Sequence, residues 1–130
     1  MKKILDSLTF EEKALLLSGA ARMSTTEIER LGIEVKNFAD GPHGVRHGEE
    51  ENCTHFPNLC SLGASWDIDA AYKMGEGIAI DCIEHDVDMI LGPGINIKRN
   101  ILCGRNFEYV SEDPILSGEI GAGYINGVQS

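Results

Sequence analysis

The stretch LGPGINIKRNILCGRNFEYVSEDP, residues 91–114, decides how the rest of this 130-residue chain is read. It follows a short apolar run, keeps no hydrophobic period, and carries Lys98, Arg99, Asn100, Arg105, Asn106 and Glu108 before a helix signal at Asp113-Pro114. A loop of about twenty residues with no secondary structure of its own is uncommon in a compact domain unless it is functional or disordered. Its glycine, aromatic and arginine content argues against disorder.

Working outward, residues 87–91 form an apolar strand candidate stopped by Gly92-Pro93-Gly94. Upstream of it, Asp67 caps a helix over residues 68–85, in which Ile68, Ala71, Tyr72, Gly75, Ile78, Ala79, Cys82 and Ile83 recur at steps of three and four and mark one buried face. A first strand candidate, residues 35–39, ends at Asp40. The following Gly41-Pro42-His43-Gly44-Val45-Arg46 cannot continue a strand, because proline lacks an amide hydrogen and the glycines invite positive φ. Residues 47–57, with Glu49, Glu50 and Glu51, read as a solvated loop. Downstream, Asp113 before Pro114 starts a helix over 114–129, with Leu116, Ile120, Gly123, Tyr124, Gly127 and Val128 on one face and glycines suited to close packing on a sheet. At the N-terminus, Thr9 with Glu12 is a capping box for a helix Phe10–Ser18 stopped by Gly19. Ser24 with Glu27 repeats the device and predicts a second helix over 25–31 ending at Gly32.

Strand, helix, strand, helix with a long loop after each strand implies a parallel sheet, and ligands in such folds gather at the carboxyl ends of the strands. Two parallel strands under two helices leave an unpaired edge and uncovered apolar faces. A closed eight-unit barrel needs roughly 200 residues or more. The expected fold class is therefore α/β, the N-terminal part of a (β/α)8 barrel, incomplete. Residues 1–33 form a helical preface, and residues 34–130 supply about two strand-helix units. Such a piece alone is expected to self-associate and to have no activity of its own.

Composition narrows the ligand. The chain has 11 basic and 21 acidic residues and a formal net charge of −10, which argues against nucleic acid and anionic membrane as partners. The opening MKKILDSLTFEEK has no apolar core behind its lysines, so no signal peptide is read there, and a cytoplasmic protein with four reduced cysteines is expected. Cys53, His55 and Cys60 do not have zinc-ribbon spacing and lack a fourth ligand, so neither metal nor cofactor is expected.

NFADGPHGVR, FPNLCSLGASWD, ILGPGINIKRNILCGRNFEYVSEDP and LSGEIGAGYINGVQS, in this order and across nearly the whole chain, resemble the N-terminal domain of glycoside hydrolase family 3, the retaining β-glucosidases and their relatives. LTFEEKALLLSG and TEIERLGI resemble its usual opening, with Met23 standing where relatives often carry an aromatic residue. The resemblance implies a (β/α) barrel, often followed by an α/β sandwich, with a sugar held between them. It implies that Asp40 accepts hydrogen bonds from the sugar's 4- and 6-hydroxyls, that Arg46 lies close by, that Leu91 lines the pocket, and that Arg105 reaches the sugar. The family's Lys-His pair, nucleophilic aspartate and acid/base glutamate match nothing here and are expected beyond Ser130. A substrate and the remainder of the barrel and second domain are the implied partners.

Each residue has a plainer reading beside the functional one. Asp40 suits a sugar because a carboxylate accepts paired hydrogen bonds, yet turn aspartates also bond their own backbone. Arg46 and Arg105 offer forks of donors for hydroxyls, or structural ion pairs. Lys98 and Arg99 suit an internal ion pair as well as sugar contact. Glu108 is placed to orient Arg105, Asp113 to cap a helix, Cys82 to fill core and Trp66 to anchor packing. His43 and His47 read as loop histidines near Asp40. The function implied is hydrolysis of terminal β-glucosyl residues, with β-xylosidase or N-acetylglucosaminidase as rivals, and a truncated product or carbohydrate-binding remnant as the rival outside enzymes.

Overall fold

The computed structural model describes residues 2–21, 23–46 and 53–130. His47 and Glu49 to Glu51, read above as loop residues, lie outside the described residues. The chain opens with helices α1, Lys2–Ser7, and α2, Phe10–Ser18. The capping box that starts α2 is present in both directions: Thr9 Oγ1 accepts the Glu12 amide at 3.2 Å, and Glu12 Oε2 accepts the Thr9 amide at 2.8 Å. Glu12 also takes Arg30 Nε on Oε1 at 2.6 Å, which ties the preface together.

The second preface helix does not form. Residues 25–31 yield only a 3-10 turn, Glu29–Leu31, closed by Gly32 at φ 63°. Thr25 instead donates its amide to Lys36 O at 2.9 Å and accepts the Lys36 amide on Oγ1 at 2.8 Å, while the Phe38 amide bonds Met23 O at 2.8 Å. Ser and Thr side chains offer the backbone a partner other than a helix, and here the Thr25 main chain and hydroxyl are both taken by Lys36. The segment therefore runs beside the incoming strand. The same pairing delays that strand: β1 is Phe38–Asp40 rather than 35–39, and Val35 is exposed.

Strand β2, Met89–Leu91, lies parallel to β1 with Phe38 opposite Met89, Ala39 opposite Ile90 and Asp40 opposite Leu91. Asp88 locks the entry end, taking the Asn37 amide and Lys36 Nζ, each at 2.8 Å. Side chains alternate across a strand. Ala39 and Ile90 turn to the helices and join the core, whereas Met89 and Leu91 are half-exposed on the other face.

Three helices complete the chain. The short α3, Leu59–Ser65, has no long period to announce it; it is capped by Asn58 Oδ1 on the Ser61 amide at 2.8 Å. Helix α4, Ile68–Glu84, starts at the Asp67 cap, and α5, Pro114–Val128, at Asp113, whose Oδ1 accepts the Ile115 and Leu116 amides at 2.8 and 2.9 Å. The core gathers Ala71, Met74, Ile78 and Cys82 of α4 with Ile120 and Tyr124 of α5 over Ala39. Ile68 and Ile83, assigned to the buried face from periodicity, are exposed at its edges.

The glycines of α5 serve a different contact from the one expected. A Cβ on Gly127 would stand 2.0 Å from Tyr72 O, and from the other side one on Gly75 of α4 would stand 2.2 Å from Tyr124 O. They let α4 and α5 approach each other backbone to backbone, rather than letting α5 approach the sheet.

Candidate active site

Both strands deliver a long loop at the same end of the sheet, with Asp40 and Leu91 as the paired last residues. The loop after β1 turns at once. Gly41 at φ 129° and Gly44 at φ 146° occupy backbone conformations closed to L side chains, and a Cβ on Gly41 would fall 1.8 Å from Gly44 O. Asp40 Oδ1 accepts the Gly41 amide at 3.0 Å, as a turn aspartate does. The backbone then doubles back, and Arg46 donates its amide to Asp40 O at 2.8 Å. Arg46 is thus carried beside Asp40 by the main chain.

Behind this turn stands a residue that the sequence reading passed over. Asp81 of α4 is a buried carboxylate, 6% exposed, taking the Thr54 amide on Oδ2 at 2.7 Å and Thr54 Oγ1 on Oδ1 at 3.4 Å. Thr54 O in turn lies where a Cβ on Gly44 would come within 2.2 Å. Asp81 therefore fixes the segment against which the first loop folds. The signal was available: 78, 81 and 82 fall on one apolar helical stripe, and a carboxylate there requires a polar partner.

The loop after β2 passes Gly94, where a Cβ would stand 2.4 Å from Glu108 O, and the Val110 amide bonds Gly94 O at 3.3 Å. Residues 106–108 make a 3-10 turn, braced by Asn106 Nδ2 on Asn100 O at 2.9 Å. Arg105 immediately precedes the turn and donates Nε to Glu108 Oε1. Its guanidinium carbon lies 6.0 Å from the Tyr109 ring centroid. Glu108 raises the arginine's already high pKa, with a smaller contribution from the charge of Asp40. Arg105 in turn holds the Glu108 carboxyl below its usual range.

The two loops meet. The His43 ring lies 6.1 Å from the Phe107 ring, tilted by 54°, and Pro42 Cα lies where a Cβ on Gly92 would come within 3.1 Å. Burial pushes the His43 imidazole below its ordinary value, opposed by Glu108 and reinforced by His55.

The structure thus puts Asp40, Arg46 and Leu91 at one strand end, with Arg105 carried by the loop that leaves Leu91. Other residues sit differently from expectation. Trp66 is no packing anchor among the described residues; it ends α3 at φ 58° and is 75% exposed. Lys98 meets Cys60, with Nζ to Sγ at 3.2 Å, and pairs with no carboxylate among the described residues. A cavity of about 660 Å³ on that side is lined by Cys60, Trp66, Lys98, Arg99, Asn106 and Glu112 among others, and none of Asp40, Arg46, Leu91 or Arg105 lines it. Among the described residues, no group of three or more His, Cys, Asp or Glu could hold a metal ion, and no helix is long and apolar enough to cross a membrane.

Comparison with known proteins agrees with this architecture. The chain is 45% identical to Thermostable beta-glucosidase B of Acetivibrio thermocellus across all of its length and 18% of that protein. It is also 45% identical to an Exo-alpha-(1->6)-L-arabinopyranosidase of Bifidobacterium longum, over 95% of this chain and 18% of that one. The crystal structure of the Bifidobacterium adolescentis GH3 beta-glucosidase superposes with a TM-score of 0.89 at 45% identity over 96% of this chain and 18% of that one. The beta-glucosidase of Kluyveromyces marxianus in complex with glucose superposes with a TM-score of 0.92 at 36% identity over 98% of this chain and 16% of that one. The chain thus spans 18% of the length of these curated relatives. Residues 5–130 match the family described as Glycosyl hydrolase family 3 N terminal domain, and the chain belongs to that family.

Proposed function

We propose that residues 1–130 are the opening part of a family 3 barrel, a preface over 1–33 and the first strand-helix units over 34–130, and that they hold the sugar of a terminal β-glucoside. The observation that carries this is the parallel register that ends β1 and β2 together at Asp40 and Leu91, with both long loops leaving from there. In this reading Asp40 accepts hydrogen bonds from two sugar hydroxyls, Arg46 and Arg105 donate to the sugar or to Asp40, and Leu91 packs against the ring. The open face of the sheet receives the rest of the barrel.

Retaining hydrolysis needs two carboxyl groups about 5 Å apart, one to attack the anomeric carbon and one to protonate the leaving oxygen and later activate water. Neither role is assigned to a residue of this chain; both are assigned beyond Ser130. The residues here orient the sugar, and orientation contributes to rate when its contacts tighten in the transition state.

A second reading has its own support, since an arabinopyranosidase is as similar to this chain as a beta-glucosidase is. An arabinopyranoside lacks the exocyclic hydroxymethyl group and so offers Asp40 one hydroxyl fewer. The test is a hybrid enzyme in which this chain replaces the matching stretch of the Acetivibrio thermocellus relative, assayed on a panel of nitrophenyl glycosides. Preference for the β-glucoside supports the first reading, preference for the α-L-arabinopyranoside supports the second, and a folded hybrid inactive on every member refutes both.

A further inference from the structure

Glu108 has a shielding that a surface carboxylate lacks. Its side chain is 12% exposed, while that of Arg105, which it binds, is 67% exposed. Three features hold it still. The Glu108 amide donates to Arg105 O at 3.0 Å, closing the turn that sets the spacing of the pair. Its carbonyl packs against Gly94, where a Cβ would fall 2.4 Å away, and the nearby Val110 amide donates to Gly94 O at 3.3 Å, which fastens the turn to the chain leaving β2. On the other side, the loop after β1 arrives through His43, whose ring meets Phe107 and whose charge, when present, is felt at Glu108.

We propose that Glu108, shielded within the loop after β2, is the positioning residue for Arg105. This rests on the reading that Arg105 holds the sugar. A guanidinium is a planar fork, so engaging Nε fixes its plane and leaves the two terminal nitrogens as donors in a set direction. A long exposed arginine otherwise spreads over many rotamers, and a ligand must gather them on binding. Glu108 does that gathering beforehand and passes the rigidity of β2, through Gly94, to a side chain that would otherwise be loose. An ordinary exposed ion pair would do little. The shielding of Glu108 and its attachment at Gly94 separate this pair from that case.

The experiment compares Arg105→Ala, Glu108→Ala and Glu108→Gln in the hybrid enzyme described above, reading kcat and KM separately together with the thermal midpoint. Glu108→Ala is expected to lower kcat/KM roughly ten-fold or more, chiefly through KM, with little change in midpoint. Glu108→Gln is expected to recover part of the loss, because an amide oxygen still accepts from Nε. If Arg105→Ala impairs the enzyme and Glu108→Ala stays within about two-fold of the parent, the positioning role is overturned while the sugar-holding reading stands. If Arg105→Ala itself changes nothing, that reading falls and the inference with it. A second measurement, on the same hybrid enzyme with its arginines isotopically labelled, needs no catalysis. The Arg105 Nε–H resonance is expected to exchange slowly with water in the parent and quickly in Glu108→Ala, and equal exchange in both overturns the proposal.

Discussion

Gly127 of α5 lies directly against the backbone of Tyr72 in α4, so closely that a Cβ would stand 2.0 Å from the Tyr72 carbonyl oxygen. This approach seats α5 over the core and, through Tyr124, brings α5 up to Gly92 and the root of the second loop: a Cβ on Gly92 would stand 3.1 Å from the Tyr124 hydroxyl. Gly127→Ala should destabilise the chain by roughly 1–3 kcal/mol, since overpacking outweighs the ~1 kcal/mol of helix propensity that alanine adds. Gly118→Ala, in the same helix with nothing within 4 Å, is the control and should be neutral or stabilising. Thermal unfolding followed by circular dichroism should show the midpoint lowered by a few degrees in Gly127→Ala and unchanged or raised in Gly118→Ala.

Asp81→Ala should cost about 1–3 kcal/mol, because it strands the Thr54 amide near a buried site. Urea midpoints check the cost. Limited proteolysis checks the consequence, which is that cleavage near residue 54 should accelerate more than cleavage elsewhere.

Acid should weaken the fold through His43. Its folded value lies below the ordinary 6.5 because burial disfavours the cation. The unfolded chain therefore binds a proton that the folded chain refuses, and stability declines as the pH falls below about 6.5. His43→Gln removes the titrating group and should flatten that part of a stability–pH curve. An unchanged slope would assign the acid sensitivity elsewhere.

The ion pair at Arg105 should fail at lower pH. Glu108's carboxyl is depressed from its reference of 4.5, first by the hydrogen bond from Arg105. What the pair contributes is present above 4.5 and is lost as the pH drops through the folded value. Carboxylate titration by NMR should find Glu108 below 4.5 in the parent and closer to it in Arg105→Ala.

The long, strongly periodic helices and the order of the two strands were legible in the sequence, because burial of one face writes itself as a repeat. Asp40 at a strand end was legible from Gly41-Pro42, which no strand can continue. Three things were not. The helix expected over 25–31 lost to pairing with residues 36–38, a long-range contact that local cap signals cannot register. Helix α3 was too short to show a period. The glycines of α5 announced close packing without naming the partner, and it proved to be α4. At the site, residue types suggested chemistry, but the meeting of His43 with Phe107 across two loops has no local signature.

The central claim is that Asp40 grips sugar hydroxyls at the carboxyl end of the two strands, and the most direct test is Asp40→Ala in the hybrid enzyme. Losing two charge-assisted hydrogen bonds should lower kcat/KM for nitrophenyl β-glucoside by on the order of 100-fold or more, with the melting midpoint preserved. Kinetics within about two-fold of the parent would contradict the account and remove Asp40 from the site.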